Sequence, residues 1–212
     1  VDGMKVVVVG FTTEDTVKIG NPEYTSDLEF RSPVTVATEL MPALQKRGAL
    51  VIAATHMGHY ADANHGGNAP GDVTLARSVS GFDVIVGGHS QVALSEPDVQ
   101  NGALIVQAHE WGKYVGRLDL VVKNGDIISS NYRLIPINLK NKGKDAEGNS
   151  VYTLIEDEIA EDADMLAMLT PYQEAGAESL NTVIGTCTGN FVGERSQVRS
   201  SETNLGNLIA DA

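Results

Sequence analysis

The sequence predicts an α/β protein with a layered, mixed sheet, and three observations carry that expectation. Short apolar runs rich in β-branched residues alternate with helical patterns through the first part of the chain, and such alternation implies a mainly parallel sheet. Further along, three more strands follow one another from Ala103 to Ile137 with no helical pattern between them. Finally, Val84 to Gln91 reads Val-Ile-Val-Gly-Gly-His-Ser-Gln. That is a buried strand, a glycine pair that lets the backbone bend, and polar side chains lifted off the strand end. Open α/β sheets place their ligand chemistry at such ends.

Taken in order, Met4 to Gly10 forms a core-type strand. Ser32 as N-cap and Pro33 at the first helical position start a helix. Val36, Leu40 and Leu44 repeat every four residues in it, Gly48 ends it, and Pro42 is expected to kink or shorten it. The next strand is Leu50 to Ala54. Asp72 is expected to cap a short helix through Val79, ended by Gly81, before the strand Val84 to Val86. Ala103 to Ala108, Val115 to Lys123 and Ile127 to Ile137 then predict an antiparallel meander, with Asn124-Gly125 as a hairpin turn. Lys140 to Ser150 is polar and predicts a linker. Glu156 to Ala177 predicts a long acidic helix that Pro171 could divide, with Glu156-Asp157-Glu158 as its solvated start. Asn204 to Ala212 has the pattern of an amphipathic helix. A core strand at the very start and an amphipathic helix at the very end lead us to expect a central piece of a longer protein.

Composition narrows the function classes. The 212 residues are 42% hydrophobic and 20% charged, which supports a real core. A net charge of −13 argues against a partner that is a nucleic-acid polymer or a membrane surface. No apolar run approaches the ~20 residues of a membrane span, and no signal peptide is visible. Cys187 is the single cysteine, so no internal disulfide forms; it is expected to be a small buried hydrophobe.

The candidate site begins with two strand ends of the same grammar. Val51 to His59 reads Val-Ile-Ala-Ala-Thr-His-Met-Gly-His, and it matches the Val84 to Gln91 stretch in delivering a His to a sheet edge. Neutral imidazole suits Zn, Fe, Co or Mn. His59 and His65 are expected to be loop residues near the cleft, while His109 and Glu110 are open between support of metal ligands and plain structure.

Several motifs in register then carry a resemblance. They are Thr55-His56-Met57-Gly58-His59, Asn68-Ala69-Pro70-Gly71-Asp72, Gly87-Gly88-His89-Ser90-Gln91 and Gln107 through Arg117. Lys18 to Tyr24 and Gln197 to Asn207 add to them. Over nearly its whole length the chain resembles the bacterial periplasmic 5′-nucleotidase/UDP-sugar hydrolase family, within the calcineurin-like metallophosphoesterases. The resemblance implies that residues 1–140 are the C-terminal part of the metallophosphoesterase domain. Residues 141–180 would be a linker and long helix, and residues 181–212 the start of a nucleotide-binding α/β domain. It implies a centre of two divalent metal ions (Zn, Mn, Co or similar), with His56, His89 and Gln91 as ligands. It also implies Arg195 and Arg199 as contacts to substrate phosphates, a role suited to the guanidinium fork.

The departures from the family pattern are equally specific. The family's Asp-x-His, bridging Asp and Asn-His-Glu have no counterpart here, and Asn64-His65-Gly66 lacks the Glu. The expected function is therefore a portion of a dinuclear-metal 5′-nucleotidase/UDP-sugar diphosphatase that hydrolyses nucleotide phosphoesters and anhydrides, periplasmic or secreted. Its substrates would be nucleotides or nucleotide sugars, and the remaining segments of the parent chain would be partners of this one. No catalytic residue is assigned within these 212 residues, which alone are expected to bind metal weakly and to be inactive. The alternatives are a 2′,3′-cyclic-nucleotide phosphodiesterase of the same superfamily and a nucleotide- or metal-binding piece without catalysis.

Overall fold

The computed structural model describes residues 3–48, 50–61, 68–183 and 185–211. The chain divides into two units, Val1–Ile159 and Ala160–Ala212. In the first, β1 (Val6–Thr12) leads through α1 (Thr16–Ile19), α2 (Pro22–Thr25) and α3 (Pro33–Arg47) to β2 (Leu50–His56). After α4 (Asp72–Ser78) come β3 (Val84–Val86), β4 (Asp98–Gln100) and β5 (Ala103–Val106). These strands form one sheet in the order β1-β2-β3-β5-β4, parallel except for β4.

Alternation along the strands sets the two faces of this sheet. In β2, Val51, Ala53 and Thr55 are buried, whereas Ala54 and His56 are exposed on the other side. Ala37, Met41 and Leu44 of α3 and Val73, Leu75 and Ala76 of α4 join Val51, Ala53, Phe82, Ile85 and Ile105 in the core. The opposite face is more open, with Val8 65% and Val86 46% exposed.

The helix from Pro33 runs unbroken through Pro42 to Arg47. Its buried row of Ala37, Met41 and Leu44 anchors it on both sides of the one hydrogen bond that proline removes. Ser32 holds the N-cap position as expected, although its side chain makes no capping bond, and Pro33 opens the helix. Asp72, by contrast, is not the cap of α4. Gly71 occupies that position, and Asp72 turns inward and is fully buried.

The expected three-stranded meander does not form. Strand β5 pairs with β3 and β4, while β6 (Tyr114–Lys123) and β7 (Asp126–Pro136) make a separate hairpin. A four-residue apolar run is short enough to be buried in the main sheet, and the strained His109 to Gly112 turn then breaks the path to β6. Asn124 and Gly125 turn that hairpin with φ of +56° and +94°, the signs a type I′ turn demands. Residues 140–150 are not a bare linker: β8 (Lys140–Lys144) and β9 (Ser150–Leu154) pair antiparallel. Asp145 closes their turn by accepting from the backbone N–H of Glu147 and Asn149 at 3.1 and 2.7 Å.

In the second unit α5 (Ala163–Leu180) starts later than the sequence predicts. Asp162 caps it, accepting from the Met165 N–H at 2.8 Å, so Glu156-Asp157-Glu158 precede the helix rather than begin it. The helix passes through Pro171. One-turn α6 (Arg195–Val198) and α7 (Asn204–Asp211) follow. Cys187 is exposed rather than buried, its thiol donating to the Gly189 carbonyl at 3.0 Å. Among the described residues no helix is long and apolar enough to cross a membrane.

Candidate functional site

The parallel register builds the site. Ala54 stands beside Val86, so the residues that follow each strand emerge at the same edge. The Gly58 N–H donates to the Gly88 carbonyl at 3.0 Å and ties the two exits together. There the His56 and His89 rings face each other edge-on, with centroids 5.1 Å apart and planes at 68°. The Tyr60 ring also stands edge-on to His89, with centroids 6.5 Å apart. Two glycines make room for this meeting. A Cβ on Gly88 would stand 3.1 Å from His56 Nδ1, and one on Gly87 would collide with the Asp72 carboxylate. An open cleft of about 650 Å³ runs along this edge, lined by Gly10, Thr12, Ala54, His56, Val86 and Gly88 among others.

Beneath the rings lies a buried polar layer. The Thr55 hydroxyl donates to Asp72 Oδ1 at 2.6 Å, whereas Asp72 Oδ2 is buried with no hydrogen-bond partner among the described residues. Burial pushes the Asp72 carboxyl up to about 6, against the Thr55 hydrogen bond and the charge of His59. Gln107 sits beside this layer, 2% exposed. Asp15, beyond the end of β1, holds Lys18 Nζ at 2.8 Å and the Ala69 N–H at 2.6 Å, and these bonds keep its carboxyl ionised below the usual range.

The electrostatics favour a neutral His89. Burial lowers its affinity for a proton and the neighbouring His56 adds to that effect, with Asp15 opposing both. A neutral ring nitrogen is the form that coordinates metals. The two imidazoles therefore fit a divalent ion as part of a donor set. Among the described residues, however, no group of three or more His, Cys, Asp or Glu side chains is close enough to hold one. The described residues bring two imidazoles together.

The other expected site residues lie differently. Gln91 follows His89 on the same loop; its side chain is exposed, and its carbonyl accepts from His109 Nδ1 at 2.8 Å. His59 pairs with Asp98 at 2.8 Å. His65 lies outside the described residues. Glu110 binds Lys113 at 2.6 Å. Arg195 opens α6 and Arg199 is its C-cap, both exposed in the second unit. Sequence reasoning missed the roles of Asp15, Tyr60 and Gln107 in framing the pair. Asp15 repeats the polar-after-strand pattern of the other two exits, and Gln107 is an amide ending a buried strand, so both carried a signal.

No family model matches the chain. The sequence is 48% identical over 231 residues to Protein UshA of Yersinia enterocolitica, a match that covers 99% of this chain and 42% of that protein. It is 46% identical over 231 residues to a 5′-nucleotidase of Vibrio parahaemolyticus, covering 99% of this chain and 41% of the other. The chain thus spans about two fifths of the length of these curated relatives. In structure it is similar to the calcineurin-like phosphoesterase YfkN of Bacillus subtilis, with a TM-score of 0.63 over 84% of this chain and 54% of that one. At 17% identity that likeness speaks for the fold alone. Sequence identity along nearly the whole chain makes this chain a segment of the UshA/5′-nucleotidase family, and its fold is like that of the YfkN phosphoesterase.

Proposed function

We propose that this chain is the central part of a metal-dependent periplasmic phosphohydrolase that cleaves 5′-nucleotides and nucleotide sugars such as UDP-sugars. The observation that carries the proposal is the edge-on His56–His89 pair, 5.1 Å apart at the exit of a parallel sheet. In this reading His56 and His89 hold divalent metal through neutral ring nitrogens, and Gln91 adds a neutral amide oxygen. The bound ions would supply Lewis acidity toward phosphoryl oxygens and water. Residues 1–140 belong to the metallophosphoesterase domain, residues 141–180 are the connection with its long helix, and residues 181–212 open the nucleotide-binding domain. There Arg195 and Arg199 bind substrate phosphate through their guanidinium forks. The support for these roles is the motif match together with the relatives' names.

The test is phosphate release from AMP and from UDP-glucose by the full-length protein, with Mn, Co or Zn added. His56→Ala and His89→Ala should each lower kcat at least about 10²–10³-fold, the scale of losing one preorganised group at a charged transition state. Residues 1–212 alone should release no phosphate, because positioning and charge stabilisation act as a unit. Silence from the full-length protein on both substrates sinks the proposal. Full activity in either His variant sinks the site.

A further inference from the structure

The loop that delivers His89 is held in a backbone that side chains rarely adopt. His89 has φ of +75° and Gln91 φ of +58°. Left-handed backbone at residues with a Cβ persists only where the surroundings hold it. One buried side chain spans the loop. Gln107 Nε2 donates to the Gly88 carbonyl at 3.0 Å. Its Oε1 accepts from the Ser90 hydroxyl at 3.0 Å and from the Val92 backbone N–H. The amide therefore grips the loop before His89, between His89 and Gln91, and after Gln91.

Gln107 is itself well anchored. Its backbone carbonyl accepts from the Leu94 N–H at 3.1 Å and from the Tyr132 hydroxyl at 3.4 Å. Ser90 Oγ also accepts from the His59 N–H at 2.9 Å, which carries the tie to the loop after β2. The contact set needs a donor on one side and an acceptor on the other, and an amide provides both. A carboxylate would repel the Gly88 carbonyl, and an apolar side chain would leave the Val92 N–H without its partner.

We infer that Gln107 is the positioning residue for His89: it fixes the left-handed loop so that the His89 ring faces His56. The inference rests on the phosphohydrolase reading for its effect on turnover, and on the hydrogen bonds above for its effect on the His pair. Displacement of His89 should act on catalysis and metal affinity more than on substrate binding, since Gln107 lies below the loop rather than in the cleft.

The test uses Gln107→Met and Gln107→Glu in the full-length protein, with kcat and KM for AMP, Co²⁺ affinity of the metal-free protein, and Tm. Gln107→Met should lower kcat and Co²⁺ affinity about 10–100-fold, the usual effect of removing a group that orients a metal ligand, with KM within about threefold. Gln107→Glu can donate to the Gly88 carbonyl only when protonated, so its deficit relative to the unaltered protein should shrink as pH falls. A lower Tm with unchanged kcat and Co²⁺ affinity would make Gln107 a packing residue and overturn the inference. If Gln107→Met does not fold, Gln107→Glu decides by the same readouts. If the unaltered protein releases no phosphate, the functional reading fails, and Co²⁺ affinity still tests Gln107 by itself.

Discussion

The end of the parallel sheet and the unit from Ala160 onward treat comparable sequence signals in opposite ways. Apolar strands closing on small polar residues mark His56 and His89, and their rings meet at 5.1 Å. Amphipathic patterning marks α7 just as clearly, yet among the described residues of that unit only Thr203 is buried. The difference lies underneath. Thr55, Asp72 and Gln107 form a buried polar layer below the His pair, and Leu75, Ile85 and Ile105 below them are fully buried. Arg195 and Arg199 stand at the two ends of one helical turn whose residues are all exposed. A side chain at a strand end inherits its position from the sheet; a single turn has almost no cooperative stability to pass on.

The largest expected effect breaks that comparison at its foundation. Ile85→Ala, at a site with no exposure, should destabilise the first unit by about 2–5 kcal/mol. Leu208→Ala in α7, where the residue is 51% exposed, should change stability by less than about 0.5 kcal/mol. Hydrogen exchange of the β3 and α7 amides reads the two units separately. Equal losses in both would mean that α7 is supported as firmly as the sheet.

Asp72 offers a sharper test, because its effect depends on pH. Its carboxyl titrates near 6 in the folded chain against 3.8 ordinarily, and burial is the main cause. Between those values the folded state holds a proton that the unfolded state has released, so stability falls as pH rises through that window. The upper limit is about 3 kcal/mol, at about 1.36 kcal/mol per unit. Asp72→Asn keeps an acceptor for the Thr55 hydroxyl and removes the titration. Denaturant unfolding should therefore show wild type losing ground to Asp72→Asn as pH rises to 7. A constant difference would mean that Asp72 is solvated.

How much of this was legible in the sequence follows from the range of each signal. Val84-Ile85-Val86 and Leu50 to Ala54 are local patterns, and their strands form where expected. The Asn124-Gly125 turn is local too. Strand β4 was hidden because Asp98-Val99-Gln100 is three residues long and finds its pairing partner in β5. Asp72 looked like a cap because a carboxylate beside a helix start is indistinguishable in sequence from one turned inward toward Thr55, 17 residues away. The partners of Gln107 lie 15 to 19 residues upstream, and no periodicity encodes them. Polar contacts between strand ends are decided by packing, and sequence reports only their chemistry.

The smallest expected effect concerns Arg195 and Arg199. Both are exposed, so neither supports a core. If they bind substrate phosphate, Arg199→Ala in the full-length protein should raise KM for AMP about tenfold, near 1.4 kcal/mol and close to the lower end of the range for one charge-assisted hydrogen bond. The value of kcat should stay within about threefold, because binding is lost equally from ground and transition states. Arg199→Lys should recover only part of KM, since an ammonium keeps the charge but not the two-pronged geometry. Unchanged KM in both Arg195→Ala and Arg199→Ala would remove the phosphate role. A fall in kcat as steep as that of His89→Ala would show that this turn positions a reacting group after all, and the contrast between the two regions would fail at the point where it was drawn.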